Sequence, residues 1–143
     1  MRVLLIIIFL IIVSYAQQDS LQTVGVSKII RVYDGDTFYA NLYNLPDIFG
    51  KNLGIRLTGI DTPELNSPDS CSRAKAKQAK NYLVERFKNA CKIELRQITR
   101  DKYFRIDAIV YLDGVNINQE MIDKGHARPY TGEGSKPTFT CSN

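Results

Sequence analysis

The run V-G-V-S-K-I-I-R-V-Y-D-G-D-T-F-Y-A-N-L-Y, from Val24 to Tyr43, holds two β-rich segments around a D-G pair. Asp34-Gly35 favours a tight turn. Beyond it, Phe38, Ala40 and Leu42 alternate with Tyr39, Asn41 and Tyr43, the period of a strand with one face turned inward. The stretch therefore predicts a β-hairpin. Downstream, Ile55 to Ile60 is expected as a third strand, with Ile55 and Leu57 on one face and Arg56 and Thr58 on the other. Pro63 stops further pairing. Between the two, Asn44 to Gly54 carries Pro46, Gly50 and Gly54 and reads as an extended loop.

The period then changes. Ala76, Ala79, Leu83, Phe87 and Ala90 recur at three- and four-residue steps within Ser72 to Ala90, an amphipathic helix with a basic outer face that serves solvation. Cys91 to Ile98 and Arg105 to Leu112 read as a fourth and a fifth strand, the latter followed by the turn Asp113-Gly114. Asn116 can cap a second helix that ends at Lys124 and Gly125. The order β-β-β-α-β-β-α predicts a mainly β fold with helices (α+β): a five-stranded OB-fold barrel with two packed helices. From about residue 129 the tail is rich in Gly, Pro, Thr and Ser and shows no periodicity.

Residues 1–16, M-R-V-L-L-I-I-I-F-L-I-I-V-S-Y-A, have the layout of a signal peptide: Arg2, an apolar run from Val3 to Val13, and a small-x-small site at Ser14-Tyr15-Ala16. The apolar run falls short of the roughly 20 residues a bilayer span needs. Cleavage after Ala16 leaves residues 17–143 as one domain, expected to be secreted or periplasmic, without stable membrane association and monomeric. The 19 basic and 15 acidic side chains give a formal charge of +4, which suits a polyanionic ligand but is weak evidence alone.

Three cysteines accompany a single histidine, with no C-x₂-C pair, which argues against a zinc site. Cys91 opens the fourth strand pattern and is expected to be a buried small hydrophobe. That favours a Cys71–Cys141 bridge in an exported protein, although sequence alone leaves the connectivity open.

Three motifs carry chemistry: V-Y-D-G-D-T-F (32–38), I-R-L-T-G-I-D-T-P-E (55–64) and T-R-D-K-Y-F-R (99–105). Asp36, Asp61 and Glu64 offer hard oxygen donors for Ca²⁺ or Mg²⁺. Arg56 and Arg105 offer planar forks for a phosphate. Taken alone, D-G-D-T is a turn; an EF-hand is excluded because Phe38 and Tyr39 stand where that loop needs an oxygen ligand and a glycine. D-T-P-E alone is a strand end with solvated acids, and either arginine alone is a surface ion pair. Their conjunction fits phosphodiester hydrolysis, which needs an activated water and relief of charge at phosphorus.

Together the three motifs resemble the staphylococcal nuclease family, in that family's order, from about Val24 to about Tyr130. The resemblance implies an OB-type barrel and a Ca²⁺-dependent endonuclease that cuts DNA and RNA and leaves 3′-phosphate ends. It implies Asp36, Asp61 and the Thr62 carbonyl as Ca²⁺ ligands. Glu64 would orient or deprotonate water, and Arg56 and Arg105 would hold the phosphate. Tyr103 and Tyr130 resemble tyrosines of the substrate pocket, with rim or core packing as the competing use. Asp34 resembles an outer-shell acid, and His126 reads as structural. Phe104 stands where the family commonly has glycine. A non-catalytic nucleic-acid-binding OB-fold module is the alternative, disfavoured because the acids and both arginines are present.

Overall fold

The computed structural model describes residues 23–139. Residues 1–16, expected to be a signal peptide, and Cys141 lie outside the described residues. Alternation builds the barrel as expected. β1 (Val24–Val32) and β2 (Thr37–Leu42) form the antiparallel hairpin, and Phe38, Ala40 and Leu42 point into the core. Two register shifts in β1, at Val26/Lys28 and Ile29/Arg31, add the local twist that curls a sheet toward closure.

Asn44 to Gly54 is more ordered than its Pro and Gly content predicts. It holds a one-turn helix, α1 (Asp47–Gly50), and the start of β3 (Leu53–Leu57). Ile55 and Leu57 are fully buried, while Arg56 and Thr58 lie on the half-exposed outer face. The third strand does not run through to Ile60. Gly59 adopts φ +78°, a left-handed conformation glycine tolerates without strain, and the chain turns there into β4 (Ile60–Asp61). That break aims the acids that follow away from the line of β3.

The long helix, α2 (Ser70–Asn89), buries the expected Ala76, Ala79, Leu83 and Phe87 against the barrel. It starts two residues before Ser72 because Asp69 caps it, its Oδ2 accepting from the Ser72 amide at 2.7 Å. β5 (Ile93–Arg100) and β6 (Ile106–Leu112) follow, then β7 (Val115–Asn116) and α3 (Ile117–Asp123), capped by Asn116 as expected. The sheet order β3-β2-β1-β5-β6 closes through a parallel β3–β6 pairing. The result is a closed five-stranded OB-type barrel, filled by Phe38, Ile55, Leu57, Leu95 and Val110.

Cys91 departs from expectation. It is exposed and free, two residues before β5, with its amide bonded to the Asp113 carboxylate. The apolar alternation that suggested burial begins only at Ile93. The tail also holds more structure than its composition implies. β8 (Arg128–Pro129) pairs antiparallel with β4, setting Asp61 opposite Arg128. Among the described residues, no helix is long and apolar enough to cross a membrane.

Candidate active site

Gly35 decides how the first motif meets the second. A Cβ there would stand 2.8 Å from the Ala79 Cβ and 2.9 Å from the Thr62 side chain. Only glycine lets the β1–β2 turn pack onto α2 and Thr62. Asp36 is thereby set beside the end of β3, its carbonyl accepting the Leu57 amide at 2.8 Å. One cavity of about 610 Å³ is lined by Asp36, Arg56, Asp61, Thr62, Glu64, Tyr103, Arg105 and Tyr130. Every metal, catalytic and substrate residue expected from the sequence therefore meets in one place. Cys71, in the first turn of α2, is not among the cavity residues.

Arg56 lies at the centre. Its Nη2 donates to the Ile60 carbonyl at 2.9 Å and stands 4.0 Å from Asp36 Oδ2 and 3.9 Å from Asp61 Oδ1. Both aspartates are buried. Burial pushes the Asp36 carboxyl up to about 6; the charge of Asp34 adds to this and Arg56 opposes it. Burial likewise raises Asp61, against the pull of Lys136. Asp34 also accepts the Asp36 amide at 3.1 Å, and the Thr37 hydroxyl donates to Asp36 Oδ1 at 2.9 Å. This pole of the cavity holds more negative charge than one guanidinium balances.

Arg105 is set by its own loop. Asp101 Oδ2 accepts from its Nε at 2.8 Å, and Asp101 Oδ1 accepts from the amides of Tyr103 and Arg105. Burial opposes the charge on Arg105, but the bond to Asp101 outweighs it and holds the guanidinium above its usual range. Phe104 takes the left-handed φ of +64° that a glycine would favour, with its ring 80% exposed. The loop thus keeps its shape at a cost of order 1–2 kcal/mol. Tyr103 is exposed, with the Arg105 guanidinium 5.5 Å from its ring. Tyr130 donates its amide to the Gly59 carbonyl and its hydroxyl to the Gly134 carbonyl; it is a rim residue.

Three functional candidates escaped the sequence reading. Asp101 stood inside a quoted motif, but its clamp on Arg105 depends on the loop closing back on itself. Asp107 is the register partner of Arg56 across β3 and β6, and its Oδ1 is buried with no hydrogen-bond partner among the described residues. Strand alternation with Ile106 and Ala108 would have placed it on the outer face. Lys136 gave no signal at all. Its Nζ bonds Glu64 Oε1 at 2.7 Å and stands 3.4 Å from Asp61 Oδ1, and the Glu64 bond raises its pKa.

A metal fits the chemistry of this donor set. The oxygens are hard, two of the carboxylates are buried with excess negative charge, and a cationic ammonium already docks on Asp61 and Glu64. No three acidic, histidine or cysteine side chains among the described residues stand close enough to make a self-sufficient metal site. A cation held here would draw on Asp36, Asp61 and the Thr62 carbonyl, the ligands that the family resemblance implies, and would need water or substrate for the rest of its shell.

The fold is a closed OB-type barrel whose cavity gathers two arginines and a pole of carboxylates. The chain matches the model of the Staphylococcal nuclease homologue family over residues 54–140 and belongs to that family. It is 31% identical over 102 residues to a protein named Thermonuclease from Staphylococcus hyicus, covering 71% of this chain and 57% of that protein. It is 35% identical over 101 residues to Endonuclease YncB of Bacillus subtilis, covering 68% of this chain and 44% of the relative. A Thermonuclease of Staphylococcus intermedius is 31% identical over 114 residues, covering 78% of this chain and 64% of the relative. The chain thus spans about half the length of the curated relatives it matches.

Proposed function

We propose that this chain is an exported, Ca²⁺-dependent endonuclease that hydrolyses phosphodiester bonds of DNA and RNA. The observation that carries the reading is the meeting of Asp36, Asp61, Thr62, Glu64, Arg56 and Arg105 in one cavity. Bound Ca²⁺ supplies charge neutralisation at the phosphate and an activated water. Arg56 and Arg105 grip the non-bridging oxygens and stabilise the added charge as phosphorus becomes five-coordinate. Glu64, exposed and ion-paired, orients the attacking water. Departure of the 5′-oxygen leaves the phosphate on the 3′ side. Tyr103 and Tyr130 flank the nucleotide.

Cleavage after Ala16, action as a monomer in a secreted or periplasmic setting, and a Cys71–Cys141 bridge complete the proposal. The deciding experiment is digestion of plasmid and single-stranded RNA with Ca²⁺ and with chelator, followed by end-group analysis. Cleavage that needs Ca²⁺ and yields 3′-phosphates is expected. Undiminished cleavage in excess chelator would overturn the metal requirement, and tight binding without cleavage would favour a non-catalytic module.

A further inference from the structure

Lys136 sits on a strap pinned at both ends. At its start, β8 pairs with β4 and the Tyr130 amide donates to the Gly59 carbonyl at 3.0 Å. At its end, the Ser72 hydroxyl donates to the Phe139 carbonyl at 3.1 Å. Between these anchors Gly132 and Gly134 adopt φ of +91° and +75°, conformations that let the strap double back over the cavity. The lysine reaches inward from there, its ammonium bridging Glu64 and Asp61 while its side chain stays 56% exposed.

We propose that Lys136, while paired to Glu64, is a tethered cation that competes with the divalent ion for Asp61, and so sets the cation affinity of the site. The inference rests on the metal-dependent reading above. The geometry favours competition over mere tail fastening. The strap has hydrogen-bonded anchors at both ends besides the ammonium, the β4–β8 pairing and the Ser72 hydroxyl. The lysine stem is flexible and half in water, so the ammonium can leave without unfolding anything. A divalent ion attracts the Asp61 carboxylate more strongly than a monovalent ammonium does. Its apparent affinity is reduced by the fraction of molecules in which the ammonium is docked. Displaced, the ammonium stays tethered over a cavity built for phosphate.

The test is calorimetric titration of Ca²⁺ into the intact, nucleic-acid-free protein and its Lys136→Met, Lys136→Gln and Lys136→Arg variants, with melting temperature recorded for each. Lys136→Met and Lys136→Gln should bind Ca²⁺ roughly three- to fivefold more tightly, the range expected for loss of a half-exposed ion pair. Lys136→Arg should stay close to the parent. Parental affinity in the neutral variants, with or without a lower melting temperature, would overturn the inference and leave Lys136 a fastening of the tail. Failure of the parent protein to bind Ca²⁺ would instead overturn the metal-dependent reading, and this inference with it.

Discussion

Arg56 Nη2 donates to the Ile60 carbonyl at 2.9 Å, so the strand that carries the guanidinium is tied to the strand that carries Asp61. That bond uses one edge of the fork and leaves the planar group between two buried carboxylates. The turn at Gly59 makes it possible by bringing a residue four positions onward back across the arginine.

Substituting either arginine tests this arrangement. Arg56→Lys keeps the charge but cannot reproduce the planar fork that reaches from the Ile60 carbonyl to a phosphate, and Arg105→Lys loses the Nε that Asp101 clamps. Each variant should lose about 10²–10³-fold in turnover while circular dichroism stays unchanged. Parental turnover in either variant would make that arginine a surface residue.

The buried carboxylate of Asp36 predicts a pH dependence. Its folded pKa of about 6 lies above its ordinary 3.8, so between those values the native state binds more protons than the unfolded chain. Stability then falls as pH rises through that window, and the full cost is present above about pH 6. In chelator at pH 7, Asp36→Asn should be more stable than the parent, by about 3 kcal/mol at most, and the difference should vanish below about pH 4. Urea denaturation at both pH values measures it. Ca²⁺ binding should weaken as pH falls below about 6, because the ligand must be ionised.

Phe104 is held at a backbone angle that suits glycine. Phe104→Gly should relieve that strain, offset in part by the greater freedom glycine gives the unfolded chain. A net gain of about 0.5–1 kcal/mol in thermal or denaturant unfolding is expected. A loss would mean that the exposed ring makes a stabilising contact.

The cysteines separate by exposure and position. Cys91 is free and exposed, so it should react with an alkylating reagent before reduction, and Cys91→Ser should leave stability unchanged. A Cys71–Cys141 bridge should appear in non-reducing peptide maps of exported protein. Its reduction should cost roughly 2–4 kcal/mol by the chain-entropy argument. Recovery of a Cys71–Cys91 peptide would overturn the pairing.

Much of this protein was legible in local pattern. The alternation of Phe38, Ala40 and Leu42, the opposed faces at Ile55 to Thr58, and the three-and-four spacing of Ala76, Ala79, Leu83 and Phe87 each report which side of an element is buried. A few neighbouring residues suffice for that. The three charged motifs are each bland alone, and it was their conjunction, with the family resemblance they carry, that picked out Asp36, Arg56, Asp61, Glu64 and Arg105 together. The break at Gly59 and the exposure of Cys91 were harder, because one backbone angle or two residues of strand boundary decide them. Lys136 was beyond reach. It meets Glu64 from 72 residues away, on a tail without periodicity whose path is set by the β4–β8 pairing and the anchor at Ser72. Contacts of that separation depend on how the whole barrel packs. Sequence therefore determined the barrel and the residues that face its site, and tertiary structure alone decided which cation stands against them.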